Sequence, residues 1–195
     1  QDAYAQLQNL YRCSDEDEDT TTFIAELAFD DELHTDYGAP SIAYMNYTFT
    51  GDGDILMRLD WFDKTPTRIP EGLWVSTGII ADSPQTDAII DILGSDVSPT
   101  DVLDNGSKWL HGAGAYAGFK DLVLFQSLDA ALVAPGSPHL LNFTNDTPEM
   151  DGGYHWNLYN NIWGTNYIMW YPWQKSDAGS VFRWNITFPW MPTAN

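Results

Sequence analysis

Positive charge is what this 195-residue sequence has least of: eight Lys and Arg stand against 28 Asp and Glu, a formal net charge of −20. Such a surface repels phosphate backbones and anionic lipid headgroups, which argues against nucleic-acid and membrane partners. Long apolar runs are missing too, and none approaches the ~20 residues of a membrane-spanning helix. Cysteine occurs once, at Cys13, so no internal disulfide can form and the thiol is free or bonded to another chain. The histidines, His34, His111, His139 and His155, are scattered, with no His-x-x-x-His pair and no Cys cluster, so the sequence offers no metal-ligand set. A Gly-rich phosphate loop and a nucleophile–base signature for acyl transfer are also absent.

Aromatic side chains are abundant instead, at 14% of the residues, and they concentrate between Tyr154 and Trp173. That stretch holds four of the nine tryptophans, four tyrosines, and Asn157, Asn160, Asn161 and Asn166. Indoles and phenols want burial with a partner for the polar tip, and buried amides cost free energy when unpaired. Such a segment is either a polar network holding loops together or the wall of a sugar-binding cleft. Five sequons, at Asn46, Asn105, Asn142, Asn145 and Asn185, point to a secreted glycoprotein. The chain opens on Gln1 with neither an initiator Met nor a signal peptide, which reads as a processed or excised piece of something longer.

Periodicity predicts the elements. Tyr4, Leu7 and Tyr11 have helical spacing, so residues 1–12 read as a short helix, and the acidic run from Ser14 to Asp19 as a solvated linker. The division expected is a helical tail with linker over 1–19 and one β domain over 20–195. From Thr22 the period is two: Phe23 to Phe29, Met45 to Phe49 and Ile55 to Trp61 alternate with more polar neighbours. Gly51 to Asp54 makes a hairpin turn between the last two. Gly72 to Ile80 is continuously apolar and fits a central strand, while Thr86 to Leu93 fits one or two helical turns. Further strands are expected at 108–115, 121–128, 139–143 and 154–159. In a final strand over 181–188, Phe182, Trp184, Ile186 and Phe188 face one way and Val181, Arg183, Asn185 and Thr187 the other. Ten or so strands with short turns and little helix predict an all-β fold, a large antiparallel sandwich.

Three constellations carry possible chemistry. The loop from Trp61 to Trp74 sets Asp63, Lys64, Arg68 and Glu71 between strands and is stiffened by Pro66 and Pro70. Arg68 and Glu71 can hold a sugar by paired hydrogen bonds, or Glu71 can act as a general acid; alternatively an ion pair ties two strand ends together. The second is Asn105 to Gly114, where small residues leave room beside His111, which otherwise is a structural histidine. The third is the aromatic stretch, in which Trp163 precedes Gly164 and Asn166 follows. If the three meet on one rim, Trp74 and Trp163 form walls and the polar groups of Arg68, Glu71, His111, Asn160, Asn161 and Asn166 converge on a sugar or a domain seam.

The order of these motifs also carries a resemblance. Tyr37-Gly-Ala-Pro is followed by Trp-Phe-Asp-Lys-x-x-Thr-Arg-x-Pro-Glu-x-Leu-Trp at 61–74. Val-Ser-Pro-Thr-Asp-Val at 97–102 and Asn-Gly-Ser-Lys-Trp-Leu-His at 105–111 come next. Ser-Leu-Asp-Ala-Ala-Leu-Val-Ala-Pro-Gly at 127–136 and Asn-Leu-Tyr-Asn-Asn-Ile-Trp-Gly-Thr-Asn at 157–166 complete it. Over residues 20–188 the chain resembles the C-terminal part of domain-of-unknown-function family 5054, itself similar to the family 38 glycoside hydrolases, the α-mannosidase group. The resemblance implies a mutarotase-like β-supersandwich. It also implies a partner, the N-terminal catalytic part of the same precursor, which would hold the divalent metal and the nucleophilic Asp; no cofactor, ligand or nucleophile carries over to this chain. Two readings follow: a β-domain completing the carbohydrate cleft of a secreted glycoside hydrolase-like protein, or a non-catalytic glycan-binding or structural sandwich.

Overall fold

The computed structural model describes residues 2–15, 19–67, 69–78, 87–101, 106–140, 146–161 and 175–190. It is an all-β protein with antiparallel sheets, as the alternating patterns predict. The strands are β1 (Gln6–Asp15), β2 (Thr20–Ala28), β3 (Ile42–Phe49), β4 (Ile55–Phe62), β5 (Gly72–Thr77), β6 (Ala88–Ile92) and β7 (Ser95–Val97). They continue as β8 (His111–Gly112), β9 (Ala117–Phe119), β10 (Val123–Ser127), β11 (Leu132–Pro135), β12 (Tyr154–Asn160) and β13 (Ser180–Thr187), with one α-helix among the described residues, α1 (Asp31–Tyr37). The chain divides into two units, cut after Glu71, after Asn160 and within β13.

The first unit pairs β1-β2-β3-β4 in sequence, with the first half of β13 beside β4. Because cross-strand partners share a face, Ala43, Met45, Met57, Leu59, Trp61 and Trp184 form one buried surface, and all are under 9% exposed. Trp61 meets Phe182 with ring centroids 5.0 Å apart, which brings the aromatic row of β13 onto that surface as its alternation predicts. The β3–β4 turn is the expected hairpin, closed by Thr50 N–H donating to the Asp54 carbonyl at 3.1 Å.

Residues 6–15 are not helical. They form β1, paired along its length with β2 around a bulge between Leu7 and Asn9. A helix of a dozen residues is marginal in water without a surface to bury its apolar stripe. The open edge of β2 supplies backbone partners instead, and β1 leaves all ten side chains exposed. The acidic run therefore stands between two paired strands rather than ahead of the β domain.

The second unit sets the second half of β13 in the order β13-β10-β9-β6-β7 against a separate sheet, β5-β12-β11-β8. Ile90, Ala117, Phe119 and Val123 from one sheet and Val133, Tyr154 and Trp156 from the other are 0–2% exposed. Phe119 and Tyr154 meet across the layer with centroids 5.5 Å apart, so the two sheets share a core. Two expectations are corrected here. Ala88 to Ile92 is strand, not helix, because β7 and β9 pair with it antiparallel on its two sides. Of the described part of segment 72–80, Gly72–Thr77 is strand and lies at the end of its sheet among the described residues, so its apolar character reflects burial on a face, not a central place.

Candidate functional site

In the first unit the loop after β4 turns inward at Asp63, whose φ of 58° lies in the left-handed region. That turn sends Lys64, 2% exposed, into the interior. Its Nζ donates to the Gly38 carbonyl at 3.2 Å, the Thr65 carbonyl at 3.2 Å and Glu71 Oε1 at 2.9 Å. Gly38 caps α1 with φ 71° and packs so closely on Thr65 that a Cβ would stand 2.5 Å from its carbonyl oxygen, so only glycine brings this carbonyl within reach of the lysine. The Tyr37-Gly-Ala-Pro motif and the 61–74 motif are thus two halves of one structure.

Asn161 completes it. Its Oδ1 accepts from the Glu71 backbone N–H at 2.7 Å, and its Nδ2 donates to the carbonyls of Thr67 (3.2 Å) and Ile69 (2.9 Å) and to Glu71 Oε1 (3.3 Å). Burial raises the Glu71 pKa above its ordinary value, and the Lys64 hydrogen bond and charge offset part of that rise. Lys64 and Asn161 both bond to Oε1, with the Thr67 hydroxyl 3.5 Å away, so this carboxylate holds a loop. Replacing Asn161 with Ala strands the Glu71 N–H and the loop carbonyls, and should cost about 1–3 kcal/mol by urea unfolding. A loss below about 0.5 kcal/mol would mean these bonds are surface decoration. Arg68, Trp163 and Asn166 lie outside the described residues, as do the sequon residues Asn105, Asn142 and Asn145. Asn46 and Asn185 are half-buried on the faces opposite Met45 and Trp184, the polar sides expected of them.

In the second unit, β12 carries a bulge between Asn157 and Tyr159. The extra residue puts Asn157, opposite Trp74, and Asn160, opposite Gly72, on the same face. Asn160 Nδ2 donates to Asn157 Oδ1 at 2.9 Å, and Asn157 Nδ2 donates to the Tyr159 carbonyl at 3.3 Å. The Trp74 indole lies over Gly72, where a Cβ would stand 3.0 Å from Nε1, and stays half-buried. Two strand positions on, Ser76 faces His155 across the same pair of strands, with Oγ 2.7 Å from Nδ1. One face therefore carries the half-buried Trp74, the exposed Ser76 and Asn160, and the buried His155 and Asn157.

His111 does not join this face. It stands opposite Val133, which stands opposite Trp156, so it belongs to the other side of the sheet. There Nε2 lies 3.2 Å from the Lys108 carbonyl, and burial lowers its pKa despite hydrogen bonds to the backbone of Lys108 and Pro99. His111 and Asn160 therefore lie on opposite faces of this sheet. Ser76 and His155 escaped sequence reasoning because they are 79 residues apart and only strand pairing joins them.

Among the described residues no group of three His, Cys, Asp or Glu side chains is placed to hold a metal ion. No helix of the described residues is long and apolar enough to cross a membrane. Compared with known proteins, the chain matches no family model, no curated protein and no solved structure.

Proposed function

We propose that this chain is the β portion of a secreted, α-mannosidase-related glycoside hydrolase-like protein, that it holds none of the glycosidase machinery, and that it supplies carbohydrate contacts. The observation that carries the reading is the single face shared by the half-buried Trp74 and the exposed Ser76 and Asn160, with the buried Asn157 holding Asn160. An indole ring stacks on the C–H face of a pyranose, while amides and a hydroxyl at its rim bond the sugar hydroxyls. The engagement of Glu71 by Lys64 and Asn161 supports a non-catalytic role for this carboxylate, since a general acid must be free to give its proton to a leaving group. The motif order from 37 to 166 supports the mannosidase relationship. In this reading the metal and the nucleophile belong to an N-terminal catalytic part of the same precursor, and Asn46 and Asn185 carry glycans.

A free-standing glycan-binding module is the second reading. It is favoured by the composition of β5 and β12, neither of which contains Asp or Glu. Calorimetry with mannose oligosaccharides tests the common part. The chain should bind without added metal, and Trp74→Ala should weaken binding at least about tenfold, equivalent to about 1.4 kcal/mol. Binding that is absent, or indifferent to Trp74, would remove the carbohydrate reading. Intact mass of native particles separates the two versions by showing whether a second chain travels with this one.

A further inference from the structure

We propose that Ser76 and His155 form a nucleophile–base pair that accepts an acyl group from an ester. The inference rests on the geometry of these two residues and not on sugar binding. Ser76 is exposed on β5, the end strand of its sheet among the described residues, so an ester reaches its hydroxyl without displacing another strand. Its Oγ stands 2.7 Å from His155 Nδ1, the separation proton transfer requires.

His155 is 7% exposed, and its Nε2 is enclosed. Burial lowers its pKa, and a backbone hydrogen bond at Gly136 offsets that only in part. A proton on Nε2 faces the Gly136 side, which leaves the Nδ1 lone pair to accept the Ser76 O–H. The backbone beside the ring is close-packed: a Cβ on Gly152 would stand 2.0 Å from the Gly136 carbonyl oxygen and 3.5 Å from His155 Nε2. That packing fixes the base relative to the hydroxyl.

The chemistry closes on these two groups and water. Ser76 Oγ forms a bond to the acyl carbon as its proton passes to Nδ1. The ester C–O bond then breaks, and the leaving alkoxide takes that proton as an alcohol. Water attacks the acyl-serine, His155 receives its proton and returns it to Oγ, and a carboxylic acid departs.

A fluorophosphonate probe, which loses fluoride to an activated serine, tests the pair on the full chain. Peptide mapping should find one adduct per chain, on Ser76, and none in Ser76→Ala. In His155→Gln the adduct should form at least about 100-fold more slowly. Exposed Ser95 and Ser107 of the same molecule serve as internal references and hold the test open even if His155→Gln does not fold. Labelling of Ser76 no faster than those serines, or undiminished in folded His155→Gln, would overturn the proposal and leave a structural hydrogen bond.

Discussion

Replacing Lys64 with Ala is expected to cost the first unit about 3–5 kcal/mol, the loss that follows when one partner of a buried pair is removed. The lysine side chain is 2% exposed and that of Glu71 17%, so water does little to screen what remains. The variant leaves the carbonyls of Gly38 and Thr65 without this donor and leaves a carboxylate facing them. The effect has a pH signature. Glu71 already titrates above its ordinary value of 4.5, and Lys64 holds it down; without Lys64 the folded pKa rises further. A raised carboxylate pKa stabilises the fold below the unfolded value and loses that contribution as pH rises through the folded value. The deficit of Lys64→Ala should therefore be smallest in acid and grow towards neutrality. Urea unfolding across that range measures it, with amide exchange in β3 and β4 identifying the unit that opens. Lys64→Met combined with Glu71→Leu should recover most of the loss, because a buried pair can be exchanged for apolar groups at little net cost. A single replacement costing under about 1 kcal/mol at neutral pH would mean the pair is solvated in solution.

How much of this could be read from the residues alone depends on whether the deciding contact is local. Period-two alternation in Met45–Phe49, Ile55–Trp61 and Phe182–Phe188 reports which face is buried, and those strands stand as expected. The helical spacing of Tyr4, Leu7 and Tyr11 is equally regular, yet the backbone partners offered by β2 outweigh it. Lys64 was legible as a charge in a stiff loop, but its burial depends on Gly38, 26 residues earlier, yielding a carbonyl. Asn161 was legible as an amide needing partners, and it has them on Thr67, Ile69 and Glu71. The Trp74 face needed two non-local facts, the bulge in β12 and the pairing of β12 with β5. His111 shows the converse, since room made by neighbouring glycines says nothing about which side of a sheet a strand turns towards.

Trp156→Ala should be the most damaging change in the second unit, at about 3–5 kcal/mol, the usual loss for a large aromatic deleted from a core. Trp156 is fully buried between Val133 and Val75 on the neighbouring strands. Its Nε1 donates to Thr77 Oγ1 at 3.0 Å, and that hydroxyl donates to the Tyr154 carbonyl at 3.3 Å. The indole thus fills the layer and also anchors β12 to β5. Two further variants separate these roles. Trp156→Phe keeps most of the apolar area and loses the indole hydrogen bond, so about 1–2 kcal/mol is expected. Tyr154→Phe withdraws the hydroxyl that reaches the carbonyls of Ile89 (2.9 Å) and Gly118 (3.1 Å) in the opposite sheet. With the ring retained, about 1–3 kcal/mol should be lost. Equilibrium unfolding followed by amide exchange in β6, β9 and β12 gives all three numbers. If Trp156→Ala costs no more than Trp156→Phe, the layer does not close around this indole and the two sheets are joined elsewhere. If Tyr154→Phe releases β6 and β9 before β12, the phenol hydroxyl is the link between the sheets and the indole belongs to the β5–β12 pair alone.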